Sequence, residues 1–195
     1  MKRLILLISF ILSACVTTYQ ENPKLISEQD YQTTIKKYSD EIKQYSGFEN
    51  VLQVGAVLLN SKAKMAVVDQ KARVFQWSDE QWYKEKVTAD SELVKRTEIF
   101  VSFFTPSKKQ DDLAKKKSVW KVFLDGGGKR YEGKAVKIKS EPAELRTYYP
   151  FHNRWSSAYL ITFEVATSAI ETDESRLTLT GPVGSATLKF QKLEQ

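Results

Sequence analysis

Residues 97–106, TEIFVSFFTP, decide the fold. Ile99, Val101 and Phe103 alternate with Phe100, Ser102 and Phe104, a period of two that marks a strand, and Pro106 ends it. From here on the pattern stays β. SVWKVFLD (118–125) and RYEGKAVKIKS (130–140) flank Asp125-Gly126-Gly127-Gly128, a glycine-rich hairpin turn. SAYLITFEV (157–165) places Tyr159, Ile161, Phe163 and Val165 on one face. RLTLTGPVGSATLKF (176–190) reads as a last hairpin, with Leu177 and Leu179 opposite Ala186, Leu188 and Phe190 across Gly181-Pro182-Val183-Gly184.

Working back toward the N terminus, NVLQVGAVLLN (50–60) is apolar on both faces, as a well-buried first strand over 48–60 would be. Between it and residue 97 the period changes. Lys62 to Gln76 predicts a helix with Val67, Val68 and Phe75 turned inward, and a second helix starts at Ser78. Ser78 and Gln81 fit a capping box, and Trp77 and Trp82 fit the hydrophobic staple that sets the angle between the two helices. SEQDYQTTIKKYSDEIKQYSG (27–47) reads as helix throughout, with Ser27 as cap, Asp30 at capping-box distance and Gly47 as the left-handed stop. Tyr31, Ile35, Tyr38, Ile42 and Tyr45 form its apolar stripe, a packing face whose hydroxyls can reach polar partners. The expectation is an α+β domain over 26–195. It consists of a helix at 26–47, an immunoglobulin-like antiparallel β-sandwich of about seven strands, and a helical pair (61–96) inserted between the first and second strands. The Cys…Trp…Cys hallmark of that sandwich is absent, and periodicity leaves strand order and a half-open barrel open.

The first residues give an address. Lys2 and Arg3 precede an apolar run from Leu4 to Leu12, about half of the ~20 residues a membrane-spanning helix needs. Short, basic-flanked and closed by small residues, residues 1–14 read as a secretory signal. The closing Leu12-Ser13-Ala14-Cys15 resembles the lipobox of bacterial lipoproteins. That resemblance implies that Cys15 is acylated on sulfur and becomes the first mature residue. It also implies three acyl chains in a Gram-negative cell, enough for firm anchoring. Val16 stands where lipoproteins kept at the inner membrane usually carry Asp, which favours the outer membrane, periplasmic face. The other reading, an ordinary signal peptide that happens to contain a cysteine, gives the lone thiol no use. Residues 15–25, polar and containing Pro23, then form a lipidated tether. With one cysteine in 195 residues, neither an intramolecular disulfide nor a thiolate metal cage can form.

The net charge of +6 includes Lys2 and Arg3 of the leader and suits anionic headgroups or wall polymers better than nucleic acid, for which no basic motif is present. The run Lys108-Lys109 and Lys115-Lys116-Lys117, interrupted by Asp111 and Asp112, reads as a solvated loop or, failing that, an anionic-surface contact. EIFVSFFTP, SVWKVFLD and LRTYYPFHNRWSSAYLITF resemble stretches of a group of uncharacterised bacterial envelope lipoproteins. The likeness covers about half the chain, is carried by fold-bearing motifs and implies no activity.

Catalytic chemistry finds little support. His152 is the only histidine and there is no Gly-x-Ser-x-Gly elbow, so His152 reads as a turn residue bonding locally and zinc is not expected. Gly126-Gly127-Gly128-Lys129 lacks the phosphate-loop spacing, and Glu171, Asp173 and Glu174 lack the EF-hand spacing. No carboxylate pair is singled out for glycoside hydrolysis. No catalytic residue, metal or cofactor is expected. The segment of interest is LRTYYPFHNRWSSAY (145–159). Tyr148, Tyr149, Phe151, Asn153, Arg154 and Trp155 are candidate contacts to an envelope protein partner or to a cell-wall glycan, provided the rings are exposed. The bland alternative is that the rings close one end of the sandwich. The expected function is a non-catalytic, membrane-anchored interaction or envelope-assembly module, with glycan or peptidoglycan binding as the alternative.

Overall fold

The computed structural model describes residues 25–194. The leader, Cys15 and all but the last residue of the expected tether lie outside the described residues. The described residues form an α+β fold, with four α-helices and two antiparallel sheets. In chain order the elements are α1 (Glu28–Lys37), β1 (Ser39–Ser46), β2 (Glu49–Leu58), α2 (Ser61–Phe75), α3 (Asp79–Lys95), β3 (Thr97–Phe104) and β4 (Lys121–Gly126). They continue with β5 (Lys129–Glu132), β6 (Lys134–Lys137), α4 (Pro142–Tyr148), β7 (Ser157–Phe163), β8 (Ser175–Gly181) and β9 (Gly184–Phe190).

One sheet runs β1-β2-β3-β7-β6 and the other β5-β4-β8-β9. Their facing sides share a core that includes Leu52, Val101, Phe103, Leu124, Leu177 and Phe190. A second core lies on the other face of the five-stranded sheet, where Tyr31 and Ile35 of α1, Ala66 and Val67 of α2, and Leu145 of α4 pack on Val57, Phe100 and Ala158. The molecule therefore has three layers, helices over a five-stranded sheet over a four-stranded one.

The C-terminal hairpin has the expected register, Leu177 opposite Leu188 and Leu179 opposite Ala186. Gly127 and Gly128 make the β4–β5 turn with φ of 55° and 72°, the left-handed pair that glycine accepts without strain. RYEGKAVKIKS is not one strand. Gly133 carries the chain from one sheet to the other: its N–H still bonds Val122 of the four-stranded sheet (2.9 Å), while Lys134 opens the pairing with Thr162 of the five-stranded sheet. A Cβ at Gly133 would stand 2.7 Å from Ile161 and from Phe163, so the crossing needs glycine.

Other sequence expectations are corrected as well. The helix over 26–47 ends at Lys37, and residues 39–46 form β1, paired with β2 through Ile42 opposite Val54. Ser27 does cap α1, accepting from the Asp30 N–H (3.1 Å), but Gly47 (φ 61°) turns a β-hairpin and terminates no helix. The strands number nine among the described residues, and the helical pair lies between the second and third of them. Phe75 is 53% exposed and not turned inward, while Val67 and Val68 are buried.

The helical pair is tied in by polar contacts. Ser78 caps α3 by accepting from the Gln81 N–H (3.2 Å). Asp69 of α2 accepts from the Trp82 indole (2.8 Å) and from the backbone N–H of Ile26 (3.1 Å), and Lys86 lies 3.4 Å away. Arg73 donates to the Ile26 carbonyl and pairs with Glu28. Glu98, buried at the start of β3, is paired by Lys64 and Arg96. Burial alone would raise its carboxyl, but those two cations outweigh burial and hold its pKa below the usual range.

Candidate functional site

The 145–159 segment starts as helix, which its sequence did not announce. Pro142 occupies the first turn of α4, where a missing N–H costs nothing, and Leu145 and Tyr148 face inward. The Tyr31 hydroxyl donates to the Tyr148 carbonyl. Tyr149 then stacks on Phe100 at 3.6 Å between ring centroids, and Phe151 meets the same ring edgewise at 6.0 Å. Phe151 also lies against Gly55, where a Cβ would come within 2.7 Å of its ring. Gly55 is the gap on β2 that admits this aromatic segment.

His152 differs from its expectation. Its backbone N–H bonds locally, to Tyr149, but its Nδ1 pairs with the Ser102 hydroxyl of β3 at 2.9 Å, both side chains being buried. Burial, helped by the charge of Arg146, holds the imidazole below its ordinary pKa and so in the neutral form. A serine–histidine pair invites a catalytic reading, yet this one lies against Phe100, and among the described residues no carboxylate bonds the imidazole to orient it. Its effect is to pin the segment to the sheet. The Asn153 carboxamide oxygen accepts from the Trp155 (2.9 Å) and Ser156 (3.2 Å) N–H groups, fixing the next turn.

The six candidate contacts thus separate. Tyr148 and Tyr149 are buried, which takes them out of a ligand's reach and pushes both phenols upward in pKa. Phe151 is half-buried and Asn153 is committed to its turn. Arg154 and Trp155 face solvent, with the guanidinium 4.5 Å from the indole centroid and Trp155 63% exposed.

A cleft of about 640 Å³ opens beside this segment, between α1, the start of β1 and Pro150-Phe151. Ile35 and Phe151 supply its apolar surface, and Gln32, Lys36, Ser39, Asp40 and Glu41 its polar one. The size is that of a small-ligand site. Its two acids are occupied by the frame: Asp40 accepts from the N–H groups of Glu41 and Lys189 (2.8 Å each), and Glu41 accepts from Gln53 (2.8 Å). Nothing in the residue pattern announces this cleft, because it forms where the chain leaves α1 for a strand that reads as helix.

The remaining motifs scatter. Glu171 accepts from the backbone and hydroxyl of Ser61 at the start of α2 (2.8 Å each), while Glu174 pairs with Arg176. Among the described residues no group of three His, Cys, Asp or Glu side chains could hold a metal ion, and no helix is long and apolar enough to cross a membrane. Comparison with protein-family models, with curated proteins and with solved structures returns no match.

Proposed function

We propose that this chain is an outer-membrane lipoprotein, acylated at Cys15 and facing the periplasm, whose domain is a non-catalytic module for binding an envelope protein partner. The observation that carries the partner reading is the Arg154–Trp155 pair, exposed on a segment that is otherwise locked down. Trp and Arg dominate interface hot spots, and a preorganised loop loses little entropy on binding. Crosslinking in native envelopes followed by co-purification tests it. A discrete partner captured by the parent and lost in Trp155→Ala is expected; background proteins alone, where a control lipoprotein complex is trapped, overturn it. The anchor has a separate test: Cys15→Ser is expected to accumulate as unprocessed precursor without acyl label.

A second reading, glycan or peptidoglycan binding, draws on the cleft, where Phe151 could stack on a sugar face beside Gln32 and Ser39. Retention on purified sacculi that Phe151→Ala abolishes, with the fold intact by circular dichroism, would select it.

We infer further that the sandwich is immunoglobulin-like. The order β2-β3-β7-β6 over β5-β4-β8-β9 parallels strands A-B-E-D over C′-C-F-G. Trp120, buried immediately before β4, supports the same reading, since that fold carries a core tryptophan on strand C.

A further inference from the structure

Strand register brings four loops to one end of the molecule. The β1–β2 tip (46–49) runs past Gln53, which pairs with the last residue of β3, Phe104. Loop 105–120 leaves β3 at that end, and the turn 153–156 enters β7 there, where Ser157 opposes Phe103. The Pro182-Val183 turn joins them: Gln44 Nε2 donates to the Ser185 carbonyl (2.6 Å), and Trp120 stands against Gly181.

This end carries both kinds of group that an anionic bilayer surface selects. Phe48 is fully exposed, Tyr45 is 60% exposed and Val119 is partly so. Loop 105–120, which leaves β3 at this end, carries Lys108, Lys109, Lys115, Lys116 and Lys117, all exposed and none in an ion pair among the described residues. In the sequence Asp111 and Asp112 offset these lysines, but in the fold both turn inward. Asp111 accepts from Ser157, Tyr159 and Lys137, and Asp112, buried, accepts from Ser118 (3.1 Å). The loop thus offers five exposed cations at the end that also carries exposed rings.

We propose that this end of the sandwich docks directly on an anionic phospholipid bilayer, with the lysines over the headgroups and Phe48 and Tyr45 at the interface, leaving the Arg154–Trp155 pair to the protein partner. The contact is independent of acylation, yet compatible with it: ten residues from Cys15 to Leu25 reach at most ~35 Å, the scale of the domain itself. An anionic wall polymer has the charge but not the apolar layer that would accept the rings.

The test uses the full chain with Cys15→Ser, so failure of the acyl anchor cannot affect it. Sedimentation is compared between phosphatidylcholine vesicles with and without phosphatidylglycerol, at low and high salt. The apolar run 4–12 and its two cations are common to every variant, so differences between variants are the readout. The parent should prefer the anionic vesicles and lose that preference in salt. The triple variant Lys115→Glu, Lys116→Glu, Lys117→Glu should fall by well over tenfold, at roughly fivefold per lysine. The charge-matched triple Lys95→Glu, Lys189→Glu, Lys192→Glu should change far less, and Phe48→Ser should weaken binding that survives salt. Equal losses in the two triples, no anionic preference in the parent, or retention on sacculi but not on vesicles would each overturn the proposal.

Discussion

The two sheets read differently along their strands. In β8 and β9 buried and open positions alternate, with Leu177, Leu179, Ala186 and Leu188 inward and Arg176, Thr178 and Thr187 outward. In β3 residues 97–103 are all buried. The four-stranded sheet keeps one face in water, while the five-stranded sheet lies between a second sheet and a helical layer. Ile99, Val101 and Phe103 serve one core and Phe100 and Ser102 the other, so a mutation on β3 acts according to the layer its side chain enters.

That contrast can be broken at its strongest point. Phe100→Ala would empty the helix-facing core and unstack Tyr149, at about 3–5 kcal/mol, measured by chemical denaturation. A loss under 1 kcal/mol would mean that the helical layer is not packed as described. Next, Gly133→Val should cost about 1–3 kcal/mol, because its side chain would overlap Ile161 and Phe163 at the crossing between sheets. Ser102→Ala is expected to cost roughly 1–3 kcal/mol by leaving a buried imidazole without its partner. The same site predicts a pH dependence. The folded state holds His152 below its ordinary pKa of about 6.5, so below that pH the unfolded chain binds the extra proton and stability falls. Denaturation midpoints should therefore drop from neutral pH toward the His152 pKa of the folded state, and His152→Gln should flatten that slope. On the wet face of the other sheet, Thr187→Ala should change stability by less than about 0.5 kcal/mol.

The same contrast explains what the sequence disclosed. The C-terminal hairpin of the four-stranded sheet was legible to the register, because a half-wet strand writes its burial as alternation. Ser27 and Ser78 were legible as caps because capping is local. β1 was not: Tyr38, Ile42 and Tyr45 continue the spacing of α1, and only pairing with β2 makes residues 39–46 a strand. The aromatic segment was recognised, with burial as one of its two readings, but not which rings go in or what receives them, since Phe100 and Ser102, which meet Tyr149 and His152, lie about fifty residues away. Nor could adjacency tell that Asp111 and Asp112 turn away from their neighbouring lysines.

The hold on Ile26 has a mechanical consequence. A pull on the amino end meets Asp69 and Arg73 before it meets any strand, and Asp69 passes part of the load through the Trp82 indole to α3. Tension arriving from that side is spread over three helices, which can fray or reseat, while the strand ladders beneath stay slack until the grip at Ile26 gives way.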